Sequence, residues 1–383
     1  MSSLWQKPRL HNPEVHRKIS WLELFFDLVF VLIISELAHL LSLDISLHGL
    51  IQFITLFFPS WSIWMSSIYY NDRFYTEGLD DRLFTFLLML PCLGLSLFAH
   101  HSMVGFVLCY IVARSLLIFL WARALRHEPL FRTVGRVLIS GYSLSLLIFF
   151  ASLFTSSPKA LWPFAFFCDF LTPLLTIKGQ KELPRFSSAR LSERLGLFIL
   201  IVLGETLVGI VRGVARHHHF SLKILLEATF TFLIASSLWW LYFDFIGKKK
   251  PKATAAQVFL WSFLHFPLVV AIGALAASAL HVLISPHHIP THNALLFITA
   301  SLSSCLICLG AIEGTLQHHQ GSSMDVRTSV LLKWLAAFLI LNVGIWGEGL
   351  KAAWILGAMV LCLMIPIGYG IYWRAHREEA EAY

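Results

Sequence analysis

Apolar residues recur along this chain in blocks of about twenty separated by short polar stretches. A helix of that length, at ~1.5 Å per residue, crosses a ~30 Å hydrocarbon core. The blocks predict about twelve membrane-spanning helices, over residues 20–43, 50–70, 83–99, 103–124, 136–155, 160–177, 193–214, 222–246, 257–283, 293–316, 329–347 and 352–373. The sixth is short and interrupted by Pro163 and Pro173. The expected fold is therefore all-α, a polytopic integral membrane protein in which lipid covers the outer faces.

The first block carries Glu23, Asp27, Glu36 and His39. A carboxylate at mid-bilayer costs roughly 2.5–3.5 kcal/mol on insertion scales, so such groups are expected to face protein or water. Glu23 and Asp27 are four apart and share one helix face, while Glu36 and His39 lie on the opposite side. Two polar edges suit a helix packed inside a bundle. Ser20-x-x-Glu23 also matches a capping box, in which Glu23 answers backbone N–H groups at the helix start.

Lys and Arg collect in alternate connections: the N-terminal arm, then the segments holding Arg73 and Arg82, Arg123 to Arg136, Lys178 to Arg194, and Lys248 to Lys252, and finally the tail with Arg374 and Arg377. By the positive-inside rule both termini are expected to be cytoplasmic. The loop with Arg212, Arg216 and Lys223 runs against that pattern. The charged loop holding Asp72, Glu77, Asp80 and Asp81 is expected to be a solvated turn, with Asp80 or Asp81 as N-cap of the third span. Trp64/Trp240 and Pro91/Pro267 are each 176 positions apart. They suggest two parallel six-helix repeats, residues 20–177 and 193–373, with a cytoplasmic arm (1–19), linker (178–192) and tail (374–383).

Composition narrows the function classes. The chain is 57% hydrophobic and 13% charged, and its formal charge of +7 falls mainly in the loops. That is a topology signal, so no nucleic-acid partner is expected. Its six cysteines fall in apolar segments, where cysteine behaves as a small hydrophobe. His217–His219 and His287, His288 and His292 lack carboxylate or cysteine partners at metal-ligand spacing. No HExxH, GxSxG or P-loop is present. No cofactor or metal is expected, and an enzyme is less expected than a transport protein.

The seventh block places Arg194, Glu205 and Arg212 on one face, with Glu205 near mid-membrane and Arg114 a candidate partner for it. Arg82, Arg114, Arg194 and Asp244 are read as structural ion-pair residues. His265 precedes Pro267, whose missing N–H loosens the helix for a histidine to bond. His265, His281 and Glu313 would be the convergent set of a lipid-acting metalloenzyme.

Trp21-Leu-Glu23-Leu-Phe-Phe-Asp27, Ser192-Glu193-Arg194-Leu-Gly-Leu-Phe198 with Leu203-Gly204-Glu205, Trp239-Trp240-Leu-Tyr242-Phe243-Asp244 and His265-Phe-Pro267 occur in order over nearly the whole chain. They resemble the bacterial low temperature requirement A family, whose name implies a need in growth at low temperature. Glu23-x-Phe25-x-Asp27-x-Val29-Phe30 also looks like the first-helix signature of endolysosomal potassium and proton channels built from two six-helix repeats. Phe26 stands where that signature has serine. This second resemblance implies a proton or small-cation path lined by the first and seventh helices, through Glu23, Asp27, Glu36, His39, Glu193, Glu205 and His265. Alternatives are a secondary transporter of a small solute, the metal-dependent enzyme and a non-catalytic membrane scaffold. The lipid bilayer is the expected partner, and a homo-oligomer is compatible with all four.

Overall fold

The structure, a computed structural model, describes residues 6–11, 19–75, 78–217, 221–247, 249–252, 254–284, 289–317 and 325–381. These residues form twelve α-helices: α1 (Trp21–Leu43), α2 (Leu47–Arg73), α3 (Leu79–His101), α4 (Met103–His127), α5 (Arg132–Ser152), α6 (Trp162–Leu175), α7 (Ser188–Ala215), α8 (Leu222–Tyr242), α9 (Ala255–Leu283), α10 (His292–Gly314), α11 (Val326–Trp346) and α12 (Ala352–Glu381). Each corresponds to one apolar block.

Ten of the twelve are long and apolar enough to cross a membrane. The two that fall short are α2 and α6, so the expected twelve spans become ten by this criterion. At 14 residues α6 reaches only ~21 Å. The other, α2, is long enough but not apolar enough over any one stretch. Its Ser60, Ser66 and Ser67 are buried, with Ser66 accepting from Trp121 Nε1 (3.2 Å) and Ser62 donating to Asp169 (2.6 Å). Its polar stripe faces protein, so lipid-like composition is not required of it.

The chain divides into two compact units: residues 1–37, 52–194 and 253–259, and residues 38–51, 195–252 and 260–383. In the first, α3, α4, α5 and α6 pack as successive hairpins. The turn between α3 and α4 is one residue, Ser102, whose hydroxyl accepts from Gly105 N–H (3.1 Å). In the second unit α10 packs on α11, α11 on α12 and α12 on α8. Close approach at the α10–α11 seam depends on Gly344, where a Cβ would collide with Thr299 Oγ1; Gly141 of α5 stands in the same relation to Thr172 of α6. Beyond α8 the backbone widens into a π turn over Phe243–Gly247. At the start of α11, Asp325 accepts from the Thr328 hydroxyl and from Arg327 and Thr328 N–H, which holds its carboxyl below the usual range.

Between α2 and α3 the structure departs from the expected solvated turn. β1 (Arg9–Leu10) pairs antiparallel with β2 (Phe74–Tyr75), so part of the N-terminal arm is docked on this segment. Asp72, Arg73 and Asp80 are all buried. Asp72 accepts from Ser187 N–H (3.0 Å), and Arg73 bonds Gln180 and the Pro184 carbonyl and lies 3.9 Å over the Phe186 ring. Asp80 pairs with Arg123 at 2.5 Å. The N-cap of α3 is Gly78, with no side-chain cap, so neither Asp80 nor Asp81 fills that role. Asp80 lies inside the first turn of α3, past the cap position, and its Oδ2 is turned to Arg123.

Candidate functional site

The first unit holds a two-rung charge ladder. Glu23 and Asp27 stand one turn apart on α1, and Arg190 and Arg194 stand one turn apart on α7. Arg190 pairs with Glu23 and Arg194 with Asp27, each across 167 positions of sequence. Arg194 also lies 3.8 Å from Glu23, which stitches the rungs together. All four side chains are buried, Asp27 completely. Around them, Trp64 Nε1 donates to Asp27 Oδ1 (2.8 Å) and Arg190 donates to the Asn71 carbonyl (2.8 Å). The capping box forms as well, since Glu23 Oε2 accepts from Ser20 N–H (2.9 Å) and Ser20 Oγ from Glu23 N–H (3.2 Å). One carboxylate therefore serves both the helix end and the ladder.

Asp27 differs from Glu23. Its Oδ1 takes both donors, while its Oδ2 is buried without a hydrogen-bond partner, as is Arg194 Nε. Arg190 went unassigned in the sequence because the apolar block starts at 193. The helix starts five residues sooner, at Ser188, after Pro184 and Ser187. The available signal was the matched i,i+4 spacing of 190/194 and 23/27.

Other predicted residues are dispersed. Glu193 points out of the core and is exposed, and Glu36 is half-buried. His39 keeps its Nδ1 buried and without a hydrogen-bond partner. Arg114 pairs with Asp169 of α6 at 2.7 Å, not with Glu205. Tyr110, Ser62 and Ser145 complete that network, and Tyr142 covers the guanidinium at 4.7 Å. Glu205 is buried with Arg212 Nη1 3.9 Å away, so one of the basic residues that run against the loop pattern answers an acid on its own helix. Asp244 pairs with Arg374 at 2.7 Å. Arg82 is exposed and has no ion-pair partner among the described residues.

In the second unit His265 is fully buried, with Nδ1 2.8 Å from the Trp261 carbonyl and Nε2 3.1 Å from the Tyr242 hydroxyl. Its backbone partner is its own i−4 carbonyl, that of Trp261, whereas the helix bond that Pro267 cannot make is the one to Phe263. Glu313 pairs with Lys333 at 2.8 Å, and Ser329 bonds both. Lys333 was also missed, although a lone lysine inside an apolar block was a legible signal. His281 Nδ1 is 3.2 Å from the Ser42 carbonyl. The three members of the supposed metalloenzyme set thus have separate partners. His217 bonds the Leu283 carbonyl and His292 pairs with Glu348; His218, His219, His287 and His288 lie outside the described residues.

A sequence profile described as bacterial low temperature requirement A protein (LtrA) matches residues 18–365. The chain belongs to this family. An uncharacterised protein of Rhizobium meliloti (strain 1021) is 28% identical over 321 residues, covering 76% of this chain and 75% of its own. No solved structure matches.

In this LtrA-family chain no group of three or more His, Cys, Asp or Glu side chains able to hold a metal occurs among the described residues. All six thiols are unbridged. The chemistry available at the ladder is proton exchange and ion pairing. In this LtrA-family chain the Glu23 and Asp27 carboxylates each face a guanidinium.

Proposed function

We propose that this LtrA-family protein moves protons or small cations across the cytoplasmic membrane, with the Asp27–Arg194 pair as its protonation-sensitive element. The observation that carries the reading is Asp27 itself: a fully buried carboxylate in a candidate span, with one oxygen accepting two hydrogen bonds and the other without a hydrogen-bond partner. A buried polar network with an open valence is costly to maintain and is the kind of site that function retains. Protonating Asp27 removes the charge that Arg194 answers; losing the proton restores the pair. Glu23, fixed by its capping box and by Arg190, holds the end of α1 while this happens. Glu36, His39, Glu205 and His265 are the further protonatable groups of the reading, and Glu193 is a surface residue in it. Two six-helix repeats and two cytoplasmic termini belong to the same proposal.

A second reading is favoured by the mutual pairing of Glu23 with Arg190, Arg114 with Asp169 and Glu313 with Lys333. It is a membrane scaffold whose intramembrane charges only hold helices together. Flux in proteoliposomes, with potassium and pH gradients imposed separately, divides the two. Transport predicts a flux in the wild type that Asp27→Asn lowers at least tenfold per folded molecule; asparagine keeps an acceptor for Trp64 and Arg194 but not the charge, so the melting temperature is expected to fall as well and folded protein is quantified alongside the flux. Liposomes that stay tight under both gradients, or a flux indifferent to Asp27→Asn, overturn it.

A further inference from the structure

Within the first unit a groove of about 510 Å³ runs between α1 and α3. Phe25, Leu28 and Leu32 line it on one side and Leu83, Leu87 and Leu93 on the other, without a polar side chain in its wall. Leu83 to Leu93 spans ~15 Å of helix, half of a ~30 Å hydrocarbon core and so the depth of one leaflet. Both helices are apolar enough to cross a membrane, and the groove residues named on α1 and α3 are each more than a third exposed. This is the shape and chemistry of a slot for one acyl chain.

One end of the slot is polar. Arg82 precedes Leu83 directly, in the first turn of α3, and is exposed. Trp21 opens α1 one turn before Phe25 and is 88% exposed, the placement of an interfacial tryptophan at headgroup depth. The neighbouring carboxylates are already answered: Glu23 by Arg190 and Asp80 by Arg123. Asp81 lines a water-sized cavity that Arg123 also lines. Among the described residues the cation left facing outward at the mouth is Arg82. We infer that the α1–α3 groove binds an anionic phospholipid, its acyl chain between Phe25–Leu32 and Leu83–Leu93 and its phosphate on Arg82.

The probe is phosphatidylglycerol, or phosphatidylcholine, carrying a photoreactive diazirine in its acyl chain, diluted into phosphatidylcholine vesicles holding the full-length protein, with adducts mapped by mass spectrometry. The site predicts adducts concentrated at residues 25–32 and 83–93 and favouring phosphatidylglycerol about fivefold, the worth of one cationic side chain near a membrane surface. Arg82→Gln is expected to erase that preference. Leu87→Trp, which fills the slot from its lipid-exposed side, is expected to abolish the adducts, and Leu87→Met to retain them. Equal labelling by both lipids in the wild type overturns the proposal. So does labelling spread evenly over the lipid-exposed faces of α10–α12, or protein–protein crosslinks at α3 in place of lipid adducts, which would make the groove a contact between copies.

Discussion

Pairing Glu23, Asp27, Asp80 and Asp169 with arginines decides what these residues can do. Removing one member of a buried pair leaves an uncompensated charge, which costs far more than the pair contributes. Arg114→Leu, which strands the fully buried network around Asp169, is expected to lower stability by about 3–5 kcal/mol, and Arg114→Leu/Asp169→Leu to recover most of it. Denaturation in mixed micelles measures both, and a double variant as unstable as the single would show that the pair does more than neutralise itself. The acids were legible in the sequence, because a carboxylate in an apolar block stands out. Their partners were not, since Arg190 meets Glu23 across 167 positions and Arg114 meets Asp169 across 55, and spacing along one helix carries no information about which distant helix lies opposite. His265 shows the same limit: the residue was visible, but Tyr242 as its partner was not.

Element positions were largely readable from the twenty-residue blocks, since apolar length is a property of each helix alone. What the blocks concealed is how each helix is used. α2 reads as a span by length, yet it spends its serines on Trp121 and Asp169; its character is set by neighbours. Helix starts shifted wherever a charged first turn belongs to the helix but not to its apolar stretch, as with Asp80 in α3 and Arg190 in α7. Close seams follow from small residues. Gly344→Ala is expected to cost about 1–3 kcal/mol by overpacking against Thr299, partly offset by alanine's better helix propensity. Adding Thr299→Ala should remove most of the loss. Melting temperatures of the three variants test this, and additive losses would show that the seam is not limited by that contact.

For the whole chain, family and membrane class were recoverable from residues in order, whereas the two-repeat reading rests on the spacing of Trp64/Trp240 and Pro91/Pro267. Trp64 and Trp240, offered as equivalents, have different surroundings: one is fully buried against Asp27, the other 39% exposed. The alternation of basic loops still predicts a cytoplasmic C-terminus. A green fluorescent protein fused after Tyr383 should fluoresce, and alkaline phosphatase at the same place should be inactive; the reverse pattern would invert the topology. The span of the ladder has a further consequence during synthesis. Glu23 and Asp27 leave the ribosome 167 residues ahead of Arg190 and Arg194, which at ~5–20 residues per second is roughly 8–33 s. For that interval α1 is an acidic segment without its native counter-charges, and each carboxylate raises the free energy of its insertion by roughly 2.5–3.5 kcal/mol until the seventh helix has been made.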